Sequence, residues 1–551
     1  MQSRSLQQFS RLSRDKSFLF RASLGIMAVV CVLGWLVSAL VPPQGVPALL
    51  SAAGFDPGDL AEVVNREQEL DTEQAAHWIR HADQIMLMMA MHQIQTRPQK
   101  NLPQGEAVGK AMDPELESPL AMLEDLIAGA KNVDESGRML LLNLARGLHA
   151  DEAGVEEATA NLRQAAAMEP PVRFANEFYA DVLLQATPED DGEVLKHYQR
   201  EASSFDDAKY ARQQVVRLML MNKDWEGLQQ VSTDPRYLES LDAHTRMQVA
   251  AEGRDWVGLA RAVLVFDYER SSPGRYLLTL LVGAIWVGIV GQFEGFGKRR
   301  LILYGAALLL GIMSASATLF VVVIQENIRG FTMGNDLWSQ LVYCIAGIGL
   351  REETIKLLFF APLIPFVLRR PEIEGLIAAA FVGLGFALQE NVGYYLGKDF
   401  SPWSRFFTAN FFHLAMTGIV GLALVQFVRW PRTLWEELLA TFIAVVVVHG
   451  AYDAFLMIPE LAVEFSIFFL LILALVAYRF FDQAEHLAHP DRSRAISPLG
   501  VFVLGAALLG GVVMVSSCWG MSFRSALMDF VGSGLGIFPV VFVFINRFRD
   551  A

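Results

Sequence analysis

The sequence predicts an all-α protein: a polytopic helical membrane bundle of about ten spans with a separate helical-repeat domain outside the membrane. Three observations predict it. Apolar runs of membrane-crossing length follow one another through the C-terminal half of the 551 residues. A long segment ahead of them shows helical periodicity and no alternating strand pattern. Charge is also divided: residues 51–270 hold 39 acidic against 21 basic residues, a net of −18, while the whole chain sums to −14. A composition of 53% hydrophobic and 19% charged residues fits a membrane protein. No basic surface suited to nucleic acid is present. Cys31, Cys344 and Cys518 form no metal-binding spacing and read as small apolar packing residues.

The first element is the uncharged run 22–41, preceded by Arg4, Arg11, Arg14, Lys16 and Arg21. At about 1.5 Å per residue it crosses a hydrocarbon core of roughly 30 Å, and it is too long for a signal peptide. It reads as an uncleaved anchor with the N-terminus, residues 1–21, in the cytoplasm. Nine further spans are expected at 276–293, 301–324, 341–368, 376–396, 406–428, 438–458, 465–481, 498–516 and 526–545. On this arrangement the inner tails and short loops carry 17 Lys and Arg, against Arg329, Lys398, Arg405 and Arg524 outside. The bias places both termini inside, with 546–551 as the second tail, and residues 42–275 outside.

The acidic segment 42–275 contains an internal echo. Lys223-Asp224-Trp225-Glu226-Gly227-Leu228 matches Arg254-Asp255-Trp256-Val257-Gly258-Leu259. Helix pairs starting near 134, 171, 205 and 240 give a period of about 34 residues, the length of a tetratricopeptide unit. Such units stack into a solenoid with a concave face for a protein partner.

Ionisable residues inside spans are costly and mark function by default. Four successive spans carry them: Arg351, Glu352, Glu353 and Lys356; Glu390; His413; then His449 and Asp453. Arg351 reads as reaching toward water with its long stem. Counted along each helix, the other groups fall in one layer roughly 8–18 Å below the outer face. Glu352 and Lys356 are four apart, Glu353 and Lys356 three apart, and His449 and Asp453 four apart, so each pair shares a helical face. Carboxylates beside a Lys and an imidazole can move protons between water and a leaving amine. Imidazoles and carboxylates on neighbouring helices could instead hold a divalent metal such as zinc that acidifies bound water. Both routes lead to hydrolysis. A transporter would show repeated spans, and none is evident.

These residues carry a family resemblance over about 300–460. Glu352-Glu353-Thr354-Ile355-Lys356 resembles the EExxK motif of PrsW-type intramembrane proteases. Phe386 to Glu390 is similar to their FxxxE motif, His413 to their lone His, and His449 to Asp453 to their HxxxD. The wider superfamily includes CAAX-processing and Abi-type enzymes, which typically show EExxxR and FxxxH, and the Aph-type subunit of gamma-secretase. The resemblance implies a peptidase in a bacterial inner membrane that cuts membrane-anchored proteins near the outer face, anti-sigma factors being the best-known substrates. It implies Glu352 or Glu353 as activator of water and Lys356 as its charge partner. Glu390 and His413 would position water or a metal, and His449 and Asp453 would stabilise an oxyanion or complete a metal shell. The alternative is a non-catalytic scaffold or receptor that uses the helical-repeat domain to bind partners.

Overall fold

A computed structural model describes residues 10–40, 70–83, 119–186, 191–293, 298–395, 402–464, 466–488, 496–519 and 522–548. Arg4, Lys398 and most of 42–118 lie outside them. No strand occurs among the described residues. The chain divides into two compact units, residues 44–245 and the remainder. The first helix, α1 (Lys16–Leu40), belongs to the larger unit.

Among the described residues of the 44–245 unit, the first helix is α2 (Thr72–Arg80), where Asp71 and Gln74 close a reciprocal capping box. Two helix pairs follow, α3 (Glu135–His149) with α4 (Glu152–Ala166) and α5 (Ala175–Ala186) with α6 (Asp191–Ser204), and then α7 (Lys209–Met221) and α8 (Trp225–Ser232). Leu141, Leu144, Leu162 and Phe178 form its core. A buried ionic cluster pins α2 to α5: the Arg80 guanidinium reaches Glu177 and Asp181, both at 2.7 Å, and stacks 3.6 Å above the Tyr210 ring. Burial pushes the Glu177 carboxyl up to about 7, against the pull of Arg80 and Arg173.

The larger unit resumes with α9 (Ala243–Glu252) and α10 (Trp256–Arg270). Helices start at Glu135, Ala175, Lys209 and Ala243. The sequence echo is also a backbone echo. Lys223 and Arg254 both take φ of 54°, and the Asp after each caps the next helix by accepting from Gly227 N or Gly258 N, each at 2.9 Å.

Among the described residues, seven helices are long and apolar enough to cross a membrane, or eight if the bent pair at the C-terminus is one span. They lie in α1, α11 (Pro273–Val290), α12 (Lys298–Val323), α14 (Glu372–Tyr394), α15 (Ala409–Arg429), α16 (Pro431–Met457) and α18 (Pro498–Ser517), with the bent pair in α19 (Phe523–Phe548). Helices α13 (Leu350–Phe360) and α17 (Ser466–Leu487) stand where the other two expected spans fall. Among the described residues these two do not pass as spans. The segment 341–368 is wound as π-helix over Tyr343–Gly349, α-helix over α13 and 3-10 helix over Ala361–Leu363, and carries four charges. Pro362 and Pro365 remove backbone donors there. Helix α17 carries Arg479, Asp482 and Glu485 in its last turns. At the centre, α14 has 89% of its apolar window buried, against 11% for α1. Its run of Ala378, Ala379, Ala380, Gly383 and Gly385 lets neighbouring helices approach closely.

Candidate active site

The site is built where α13, α14, α15 and α16 meet. The π-wound turn Tyr343–Gly349 leads directly into α13. Such turns are rare and concentrate at functional sites. Here the turn presses against α16 through two glycines. A Cβ at Gly349 would lie 2.6 Å from Val446 O, and one at Gly450 would lie 2.7 Å from Ile345 Cγ1 and 2.8 Å from Cys344 O. Only backbone-to-backbone contact fits, and it sets the register between Glu353 on α13 and His449 on α16.

Lys356 is the centre of the charges, fully buried. Its ammonium donates to Glu353 Oε1 at 2.8 Å and to Glu352 Oε2 at 3.3 Å, and lies 2.8 Å from His413 Nδ1 and 4.0 Å above the Phe386 ring. Glu353, also fully buried, faces His449 Nδ1 at 2.8 Å through the same Oε1 and accepts from Thr417 at 3.4 Å. A carboxylate only accepts, so the His449 ring carries a proton on Nδ1, and its second nitrogen, Nε2, faces two further carboxylates. That Nε2 lies 3.4 Å from Asp453 Oδ2 and 3.6 Å from Glu352 Oε2.

A second polar group surrounds Glu390. Its Oε2 is 3.0 Å from His413 Nε2 and 3.2 Å from Arg405. Arg405 Nε donates to Asn391 at 2.7 Å, Asn391 donates to Asn410 at 2.8 Å, and Asn410 donates back to the Arg405 carbonyl at 2.8 Å. Arg405 reads from the sequence as an outer-loop charge; the structure buries it and sets it 4.0 Å over the Tyr394 ring. Arg351 differs likewise. It is buried and donates to Gln325 at 2.9 Å rather than reaching for water, because the neighbouring π-turn Ile324–Ile328 offers an acceptor. Asn391 and Asn410 were legible as polar residues inside apolar runs, three or fewer positions from Glu390 and His413.

A cavity of about 420 Å³ reaches the cluster from one side, walled by α12 and α14, and touches Glu352 and Glu390. The twin glutamates are thereby separated: Glu352 borders open space, and Glu353 is sealed behind it, engaged by Lys356, His449 and Thr417. Donor atoms of Glu352, His413 and His449 lie within 4.8 Å of one another. Of the four metal candidates named from the sequence, His413 and His449 stand among the grouped donors with Glu352, while Glu390 contacts His413 and Asp453 contacts His449. His449 suits a metal, since a carboxylate on Nδ1 is the usual orienting partner of a ligating imidazole. Asp453 Oδ2 is buried and accepts no hydrogen bond among the described residues, a further oxygen available to a cation.

Carboxylates, imidazoles and an ammonium are thus gathered between apolar helices beside a cavity. Residues 299–479, which hold the whole cluster, match the model of the PrsW family intramembrane metalloprotease, so this segment is similar to that family's protease domain. No curated protein and no solved structure is similar enough to the chain to count as a match.

Proposed function

We propose that the chain is an endopeptidase that cuts membrane-anchored proteins near the outer face of a bacterial inner membrane, anti-sigma-factor-like regulators among them. Residues 42–275 lie outside and both termini inside, and the outer helical repeats recruit the substrate. The observation that carries the reading is the cavity: it touches Glu352 and Glu390 and none of the groups that hold them.

The roles follow from the contacts. Glu352 accepts a proton from the attacking water at a carboxylate oxygen and returns it to the leaving amine. Lys356 and the sealed Glu353 hold Glu352 and His449 in register. Glu390, clamped by Arg405 and His413, orients the water. A proton carried on His449 Nε2 and one on Asp453 donate to the charge that develops on the carbonyl oxygen. Glu352, His413 and His449 would hold a divalent metal such as zinc, with Glu390 and Asp453 beside them. When bound, the metal acidifies a water and polarises the carbonyl. Glu390 is then the proton acceptor left at the cavity. One contact favours a metal-free route instead. The Lys356 ammonium has only donors, so His413 Nδ1 accepts from it and the ring proton points from Nε2 to Glu390, which leaves His413 no lone pair.

The test is cleavage of co-reconstituted single-span substrates by the wild-type chain and by an equally folded Glu352→Gln variant. Product from the wild type alone supports the reading. Equal product from both, or none from either, moves the assignment to a scaffold. A chelator that stops cleavage, with zinc restoring it, selects the metal route. Cleavage that continues in chelator, by protein free of metal on elemental analysis, selects the other.

A further inference from the structure

The helices α12 and α14 touch backbone to backbone at Gly311 and Gly385, where a Cβ on Gly311 would lie 2.9 Å from Gly385 Cα. One turn further along they part, and the cavity opens between Ala315–Val322 and Phe386–Tyr394. Three of its lining residues on α12, Ala315, Ser316 and Thr318, fall in the run Ser314-Ala315-Ser316-Ala317-Thr318, which has no side chain larger than Thr, and Leu319 and Val322 complete that wall. Leu319, Tyr394 and Phe266, the last from α10, also line it. Helix α10 is fixed there by an apolar cluster in which Leu259 and Val263 pack with Val323, and Leu319 borders it.

We propose that this cavity is the substrate subsite, and that its occupant is an unwound, extended stretch of a single-span polypeptide. The occupant has small, non-acidic side chains beside the scissile bond and continues outward under Phe266. The proposal rests on reading the site as a peptidase.

Chemistry requires the unwinding. In a helix each carbonyl is already hydrogen-bonded and covered by side chains, so neither water nor a carboxylate can reach it. Unwinding inside a membrane frees backbone N–H and C=O groups that lipid cannot satisfy. The cavity wall offers hydroxyls for them. Ser314, deeper on α12, bonds its own helix at Gly311 O, 2.6 Å away, in the ordinary helical manner. Thr318 does not: its hydroxyl is buried with no partner among the described residues. Ser316 also lines the cavity. Small wall residues let a backbone come close to Glu352 and Glu390, and a bulky side chain next to the scissile bond would collide with Ala315 or Leu319. The described lining holds two carboxylates and no basic side chain, so an acidic residue at the bond is repelled.

Disulfide trapping tests this in the full chain. The background is Glu352→Gln with Cys31, Cys344 and Cys518 replaced by Ala. A single Cys is then placed by Ser316→Cys in the wall, or by Met313→Cys on the same helix, a position 57% exposed and outside the lining. The probe is a synthetic Leu/Ala span with a Gly-Ala-Ala-Gly centre and one Cys moved through it. The expected result is at least tenfold more cross-link from position 316 than from 313, confined to probe positions at the centre. Equal trapping at both, or trapping at neither, overturns the proposal. In a second arm, the active chain is given substrates carrying Ala or Trp at the bond. Wild type favours Ala at least tenfold, and Leu319→Ala shrinks that ratio; a ratio of one in wild type overturns the proposal. The underlying reading fails separately: trapping at 316 with no cleavage of any substrate makes the cavity a binding site without a peptidase. Cleavage without trapping leaves the peptidase and removes the subsite.

Discussion

Substituting Gly450 by Ala tests the helix crossing that positions His449. The added Cβ would sit 2.7 Å from Ile345 Cγ1 and 2.8 Å from Cys344 O. Carbon contacts relax near about 3.5–4 Å, so α16 must withdraw from the π-turn by about 1 Å. His449 is the adjacent residue and moves with it. Its 2.8 Å contact to Glu353 would stretch past ordinary hydrogen-bond length. Misplacement of a catalytic group by about 1 Å can cost about a hundredfold in rate, equivalent to about 2.7 kcal/mol of barrier. Overpacking itself should destabilise the fold by about 1–3 kcal/mol. The assay is the initial rate of cleavage of a labelled single-span substrate in proteoliposomes, with a denaturation midpoint on the same preparation. Gly305→Ala in α12 is the control, because nothing lies within 4 Å of the Cβ it would add; it should behave as wild type. If Gly450→Ala cleaves within about twofold of wild type and unfolds at the same midpoint, the crossing does not set the catalytic register and the reasoning is refuted.

Three other outcomes follow from the contacts. Lys356→Met leaves two buried carboxylates without their cation and should lower stability by about 3–5 kcal/mol. Adding Glu353→Gln should then cost less than the sum of the single changes, by roughly 0.5–3 kcal/mol, in a denaturation cycle. Arg405→Gln releases Glu390 without touching the other charges, so kcat should fall about 10–100-fold with KM little changed; equal kcat would remove Arg405 from the mechanism. In the 44–245 unit, the Glu177 carboxyl is raised from 4.5 to about 7, so the folded state holds its proton more tightly than the unfolded state. Its contribution is therefore fully present below about 4.5 and is lost as pH rises through about 7, on the order of 3 kcal/mol. Denaturant midpoints of the unit should fall over that window, and Glu177→Gln should flatten the slope.

The helices and the motif positions were legible in the sequence because hydropathy and i,i+3 or i,i+4 spacing are local properties. Glu352, Glu353 and Lys356 share a face whatever surrounds them, and an apolar run of span length is helical wherever it packs. The Asp224 and Asp255 turns were visible for the same reason, each being a cap closed within four residues. Packing decided the rest. Glu353 and His449 are 96 positions apart, and Lys356 and His413 are 57 apart. Neither contact exists until glycine crossings bring the helices together. Nothing local distinguishes Glu352 from Glu353, yet one borders the cavity and the other is sealed, because a single residue step turns a helical side chain by about 100°. Arg405 shows the same limit. Its sequence neighbours mark it as a loop cation, and only the approach of α14 supplies the Asn391 and Glu390 oxygens that make its burial tolerable.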